Sequence, residues 1–296
     1  MSNELDSCWV REKYDSFEIC YKIKNVLLSR QSKFQKIEIV ETAGFGRMLL
    51  LDGIVNIAET DEFIYHEMIT HVALFVHPNP EKVLIIGGGD GGAAREVIRH
   101  PEVKKCYLVE IDEAVVEGCK KFIPQTAKSL DDPRVILKIE DGFEFVENTN
   151  KRFDIVIVDS TDPVGPSVPL FGKSFYENVY KILNDKGIVI VQAESPFYKK
   201  EHQKKILRIL KGLFNKVYMY FYANFTYPGG LWSFCYASND LCPLTDFNPQ
   251  KVRSSGLKFS YYNESIHRAA FVLPEFLKEE LKGYLITNQC TKITEI

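Results

Sequence analysis

The sequence predicts an α/β protein: a mostly parallel, doubly wound sheet preceded by a small β-domain. Three observations carry this. From Asp61 onward, short apolar runs alternate with helix-like stretches, the pattern of successive βαβ units. One run, residues 83–86, feeds directly into Gly87-Gly88-Gly89-Asp90-Gly91-Gly92, a glycine loop where a nucleotide-binding turn belongs. Before Asp61, brief alternating runs are separated by turn residues and no helical period is present.

Residues 17–23 and 34–40 alternate in polarity, and 48–51 is a short apolar run. Gly44, Gly46 and Asp52-Gly53 supply the turns between them. So few residues make a sheet that needs another surface to cover it. Residues 1–60 are therefore expected to pack as a β-domain on the rest of the chain, residues 61–296, and on another subunit if there is one. Asp61-Glu62 opens a helix that Pro78-Asn79-Pro80 stops. Strands are expected at 83–86, 105–110, 135–139, 154–158 and 188–192, with helices at 93–99, 113–122, 143–147, 174–183 and 201–214. The last strands, 217–221 and 232–236, are aromatic-rich and flank Pro228-Gly229-Gly230. They predict a closing pair with one antiparallel strand, a habit of nucleoside-sulfonium transferases more than of nicotinamide dehydrogenases. The polar tail past Gly283 is expected to be loosely held.

Composition narrows the class. The 296 residues are 45% hydrophobic and 26% charged, enough to bury a full core. A net charge of -3 offers no basic surface for nucleic acid. No apolar run approaches the roughly 20 residues of a membrane helix, and residues 1–13 lack the apolar centre of a signal peptide. Seven scattered cysteines without a C-x-x-C pair read as reduced thiols of a cytoplasmic protein rather than a disulfide framework or zinc site. His66 and His71 are five residues apart, so on a helix they point about 140° apart, and no metal site is expected.

Chemistry concentrates at the strand ends. The first parallel strand runs into Asp90, the second ends at Glu110 with Asp112 beyond, the third at Glu140-Asp141-Gly142, and the fourth at Asp159-Ser160-Thr161-Asp162-Pro163. Any one acid after a strand is more commonly just the N-cap of the next helix, and the G-x-G-x-x-G spacing of Gly87, Gly89 and Gly92 is weak alone. Four acids at one sheet edge are different, because such a cluster is costly unless something cationic fills it. Glu110, some 20 residues past the glycine loop, suits ribose hydroxyls. Asp141 can accept from an adenine amino group, with the Gly142 backbone beside it. Asp90 would repel a phosphate or a methionine carboxylate and attract the ammonium of a 3-aminopropyl group. The expected ligand is decarboxylated S-adenosylmethionine. A nicotinamide dehydrogenase would set its pyrophosphate against Asp90, and a methyl-transferring relative would set its donor carboxylate there. A silent scaffold would have no use for the base that Asp159 offers.

These residues resemble the polyamine aminopropyltransferase family, and within it the bacterial-type spermidine synthases. The resemblance runs from Trp9 through Tyr65-His66-Glu67-Met68, the glycine loop, Val109-Glu110-Ile111-Asp112, Asp131-Asp132-Pro133-Arg134, Asp159 to Pro166, Gln192, Thr226-Tyr227-Pro228 and Leu273-Pro274. Ala93-Ala94 after the loop, in place of a more usual β-branched residue, and the long tail are mild departures. The resemblance implies a methyltransferase-like Rossmann domain behind an N-terminal β-domain, assembled as a homodimer or homotetramer. It also implies transfer of the aminopropyl group to putrescine, giving spermidine and 5′-methylthioadenosine, without metal or prosthetic group. By position, Gln31, Glu110, Asp141, Gly142 and Pro166 fall on the nucleoside-binding residues. His66, Asp90, Asp159, Ser160, Thr161 and Asp162 fall on the polyamine-binding ones, with Tyr65, Gln192 and Tyr227 alongside, and Asp159 falls on the proton acceptor. Agmatine, cadaverine or spermidine as acceptor would need only a changed pocket length or far end. Tyr65 and Tyr227 either orient the attacking nitrogen, wall the diamine, or simply pack in the core. Trp9 lies in the diamine wall or at a domain interface. Glu194 binds the far ammonium or caps a turn. Gln31 requires the small domain to reach over the pocket.

Overall fold

The structure is a computed structural model and describes residues 9–14, 16–161 and 165–285. The chain begins with a five-stranded antiparallel sheet in sequential order: β1 (Trp9–Lys13), β2 (Glu18–Gln31), β3 (Lys36–Thr42), β4 (Arg47–Leu51) and β5 (Ile54–Ala58). Asp52 and Gly53 join β4 to β5 with φ of 50° and 84°, the left-handed pair that a two-residue hairpin requires. Alternation gives this sheet two buried faces. Ile37, Ile39, Leu49, Leu51 and Ile57 pack into the main core, while Tyr21, Val40, Met48, Leu50, Val55 and Ala58 form a smaller cluster on the opposite side.

Helix α1 (Glu62–Val76) follows, and every residue in it except Phe63 is buried. A helix buried all round must pair its polar groups internally. Glu67 does so by accepting from the backbone N–H groups of Ser260, Tyr261 and Tyr262 at 2.8, 2.9 and 2.7 Å, which ties the C-terminal segment to the helix.

The second sheet has seven strands, built from β6 (Lys82–Gly87), α2 (Gly92–Ile98), β7 (Lys105–Glu110), α3 (Glu113–Phe122), α4 (Pro124–Ala127), β8 (Val135–Ile139), α5 (Gly142–Asn148), β9 (Phe153–Asp159), α6 (Lys173–Lys181), β10 (Leu183–Gln192), α7 (Lys200–Lys211), β11 (Lys216–Ala223) and β12 (Leu231–Ser238). Strand order is β11-β12-β10-β9-β6-β7-β8. Strands β6 to β10 are parallel, and β12 inserts antiparallel between β10 and β11. The chain winds from β6 outward to β8, then crosses back to β9 and β10. The order therefore reverses between β6 and β9, and a crevice opens at their carboxyl ends. Alternate residues feed the two faces: Val83, Ile85, Leu108 and Ile157 pack toward α1, α2 and α3, and Leu84, Ile86, Val109 and Val158 toward α5, α6 and α7. Three short helices, α8 (Pro249–Ser254), α9 (Glu264–Ala270) and α10 (Glu275–Glu280), complete the described chain.

Cys20, Cys106, Cys119 and Cys235 are free thiols, the last three buried. Cys242 is disulfide-bonded, which corrects the expectation that all the cysteines are reduced. Among the described residues no helix is long and apolar enough to cross a membrane. Most of the polar tail, from residue 286 on, lies outside the described residues.

Candidate active site

At the switch point β6 and β9 run in register, with Gly87 beside Asp159. The strands approach so closely that a Cβ on Gly87, which has a φ of 83°, would collide with the Asp159 carbonyl oxygen. That same carbonyl accepts from the Gly88 N–H at 3.0 Å. One residue on, a Cβ at Gly89 would sit 2.8 Å from the Glu110 side chain. The glycines thus let the loop lie flat against two acid-bearing strands.

A cavity of about 460 Å³ opens above this loop. Its lining brings together Tyr65, His66, Asp90, Glu110, Asp141, Gly142, Asp159, Ser160, Thr161, Gln192 and Tyr227. Gln31 is not brought in: it is exposed at the end of β2, with its side-chain amide donating to Ser32 O at 3.1 Å. Gln35, from the following turn, lines the cavity instead and donates to Asp112 at 3.2 Å. Trp9 is exposed and outside the lining. Asp162 lies outside the described residues, as does the side chain of Pro166.

Each acid is held differently. Asp141 is an N-cap, accepting from the N–H groups of Phe143 and Glu144 at the start of α5. Glu110, buried, accepts from Gly89 N–H at 3.2 Å and Asp112 N–H at 2.9 Å. Burial, reinforced by the charges of Asp112 and Asp90, pushes its carboxyl up to about 7. Asp159 accepts from the Tyr65 hydroxyl at 2.6 Å through Oδ1, while Oδ2 is buried with no hydrogen-bond partner. Burial and the nearby Asp90 charge push Asp159 up to about 6. Tyr65 therefore orients a carboxylate, and Tyr227 donates to the Asn56 carbonyl on β5 while contributing an aromatic wall with Trp232.

Asp90 departs most from the sequence reading. Four acids were expected to await an outside cation, but the chain supplies one. His66 Nε2 lies 3.3 Å from Asp90 Oδ1, and His66 Nδ1 lies 2.5 Å from Glu62 Oε2. Burial pulls the imidazole down, yet the Asp90 and Glu62 carboxylates override it and hold His66 at about 10. Asp90 is correspondingly held below its ordinary value, burial opposing and His66 prevailing. His66, Asp90 and Asp159 also bring ligand-type atoms within 4.8 Å of one another.

Sequence reasoning did not find Glu62, Arg95, Asn56 or Trp232. For Glu62 a signal existed, since it stands four residues before His66 on one helical face. Nothing local marks Asn56 or Trp232, which reach the cavity only through tertiary packing.

The fold and the site define a Rossmann-like protein with a carboxylate-lined ligand crevice at the switch point of a sheet that carries one antiparallel strand near its end. Residues 62–249 match the spermine/spermidine synthase domain and residues 8–59 match the spermidine synthase tetramerisation domain, and the chain belongs to this family of enzymes. It is 44% identical over 279 residues to the polyamine aminopropyltransferase of Bacillus subtilis, covering 94% of this chain and 100% of that protein. It is likewise 44% identical to the Clostridium kluyveri polyamine aminopropyltransferase, over 92% of this chain and 98% of that one. A spermidine synthase solved in complex with the transition-state analogue AdoDATO superposes with a TM-score of 0.91 at 41% identity, covering 95% of this chain and 98% of that chain. The spermidine synthase of Thermotoga maritima gives 0.90 at 41% identity, covering 95% and 97%.

Proposed function

We propose that the chain transfers the aminopropyl group of decarboxylated S-adenosylmethionine to putrescine. A putrescine nitrogen attacks the methylene beside the sulfonium. The new C–N bond forms as the C–S bond breaks, 5′-methylthioadenosine leaves as a neutral thioether, and the proton of the attacking amine passes to Asp159. Spermidine is the other product. The observation that carries this reading is Asp159 itself. One oxygen is fixed by Tyr65 and the other is buried without a partner, at the switch point and beside Asp90.

The chemistry supports the assignment. An alkyl ammonium titrates near 10, and an ordinary Asp near 4, so an exposed carboxylate is a feeble base for it. Raised to about 6, Asp159 closes part of that gap. The aromatic lining from Tyr65, Tyr227 and Trp232 disfavours the ammonium and closes more. Holding nitrogen, carbon and sulfur in line contributes further, and a dry site favours the loss of sulfonium charge. Glu110 takes the ribose hydroxyls, Asp141 and Gly142 the adenine, and Asp90 the donor ammonium. No step requires a metal or prosthetic group. The assembly is a homodimer or homotetramer joined through the β-domain, in line with its match to the tetramerisation domain.

The test is a thermal-shift titration with decarboxylated S-adenosylmethionine, S-adenosylmethionine, methylthioadenosine and NAD, followed by an amine panel with products weighed by mass spectrometry. Decarboxylated donor and putrescine should win. Asp159→Asn should bind methylthioadenosine nearly as wild type while turnover falls by about three orders of magnitude. Preference for NAD or for the carboxylated donor would sink the reading.

A further inference from the structure

Behind the acids that face the cavity, α1 and α2 share a run of alternating charges, Arg95, Glu62 and His66, that the proposed reaction steps do not use and that ends on Asp90. Arg95 grips Glu62 with two N–H groups, Nη1 to Oε1 at 2.7 Å and Nη2 to Oε2 at 2.9 Å. Glu62 Oε2 meets His66 Nδ1 at 2.5 Å, and His66 Nε2 faces Asp90 Oδ1 at 3.3 Å. Asp159 stands within 4.8 Å of this end of the chain. The ring is 1% exposed and pinned, since a Cβ added at Gly92 would collide with it. Facing it are Glu62 and Tyr65 on its own helix, Asp90 in the glycine loop, Arg95 on α2 and Asp159 at the end of β9, with Glu110 on β7 beyond Asp90.

We propose that Glu62, clamped by Arg95, is a positioning residue that keeps His66 an imidazolium, and that this one buried cation allows Asp90 and Asp159 to be ionised together. The physical case is a balance of burial and pairing. A buried cation survives only where its charge is answered on the spot, and here Glu62 is hydrogen-bonded to Nδ1 while Asp90 answers Nε2 by charge alone, 3.3 Å away and without a hydrogen bond. Two carboxylates as close as Asp90 and Asp159 resist being charged together unless a cation lies between or beside them. The cation lowers the proton affinity of Asp159, while Asp90 raises it. Neutralise Glu62, and the ring keeps one carboxylate and loses its proton. Asp159 then binds its own proton more tightly and stops accepting one near neutrality. His66 in this view acts on the reaction through its charge. The kinetic half of the proposal rests on Asp159 as proton acceptor, and the ring-state half does not.

The experiment uses the full chain with ring-labelled histidine, the His66 signals being assigned by their loss in His66→Gln. In the wild type the ring nitrogens of His66 should report an imidazolium between about pH 6 and about pH 8. In Glu62→Gln they should report a neutral ring at the upper end of that range. The acidic limb of the turnover profile should move up by about one pH unit, with turnover recovering at alkaline pH. Affinity for methylthioadenosine, which carries no ammonium, should stay within about two-fold. Arg95→Gln should act in the same direction by a smaller amount, and it carries the test if Glu62→Gln does not fold. A neutral His66 in the wild type overturns the proposal. So does turnover lowered equally at every pH with the limb unmoved, the mark of a merely structural role. If Asp159→Asn keeps wild-type turnover, the proton-acceptor assignment fails, and the ring state still decides whether the clamp exists.

Discussion

On the proposed function, Asp90 selects the donor in competition with a charge already in place. Its Oδ1 accepts from the Gly92 N–H at 2.8 Å and lies 3.3 Å from His66 Nε2, so an arriving ammonium adds a positive charge to a carboxylate that is partly satisfied. A donor carboxylate in the same position meets a nearly neutral pair rather than a bare anion. The preference for the decarboxylated donor should therefore be real but moderate. Asp90→Asn should narrow it by about tenfold, read as the ratio of kcat/KM for the two donors. An unchanged ratio would place donor selection elsewhere in the cavity. Legibility at this scale followed chain locality. The acids at strand ends could be read because each sits in a short motif beside a glycine or a capped helix. The protonation of His66 could not, because Asp90 reaches it from another element and only the fold sets 3.3 Å between them. Gln31 stays outside the cavity lining for the same reason in reverse. Its place in the family pattern is local, but whether β2 delivers it over the cavity depends on the course of a 14-residue strand.

The loop between β6 and α2 is the element on which the site is built, and its glycines are not equivalent. Gly92 opens α2 directly beneath the His66 ring, and the ring is boxed in by Glu62 and Asp90. Gly92→Ala should push α2 away from α1 and cost about 1–3 kcal/mol, as overpacking of a rigid site does. Gly44, whose Cβ position is open, should accept Ala with little change. Urea unfolding of the two variants makes the comparison, and equal midpoints would mean that the ring or the helix yields freely. Most parallel strands and their helices were legible, because buried parallel strands are continuous apolar runs and the helices carry a 3.6-residue period. The β-domain was less so. The β1 strand (Trp9–Lys13) is short and mixed in polarity, the β5 strand (Ile54–Ala58) is only five residues long, and register shifts in β2 break its alternation beyond residue 23. Helices α8, α9 and α10 have six, seven and six residues, too few for a period to declare itself.

For the molecule as a whole, the site is a standing electrostatic load. Glu110 and Asp159 are both held above their ordinary values, chiefly by burial. When the folded state binds an acid's proton more tightly than the unfolded state, folding stability falls as pH rises from the unfolded value through the folded one. For Glu110 that window runs from about 4.5 to about 7, and the group's unfavourable contribution is complete above it. Glu110→Gln removes the titration and leaves the shape. Its stability relative to wild type should improve steadily between about pH 5 and about pH 8, by on the order of 3 kcal/mol at most. The absolute offset matters less, because the amide of Gln must face one of the two N–H groups that Glu110 now accepts from and forfeits that bond. The variant should at the same time lose affinity for methylthioadenosine, because the ribose hydroxyls lose their charged acceptor. Melting curves for both proteins across this pH range, with and without the nucleoside, carry the test. A stability difference that stays flat with pH would mean Glu110 titrates as an ordinary glutamate, and the crevice would then not be storing charge for a ligand to relieve.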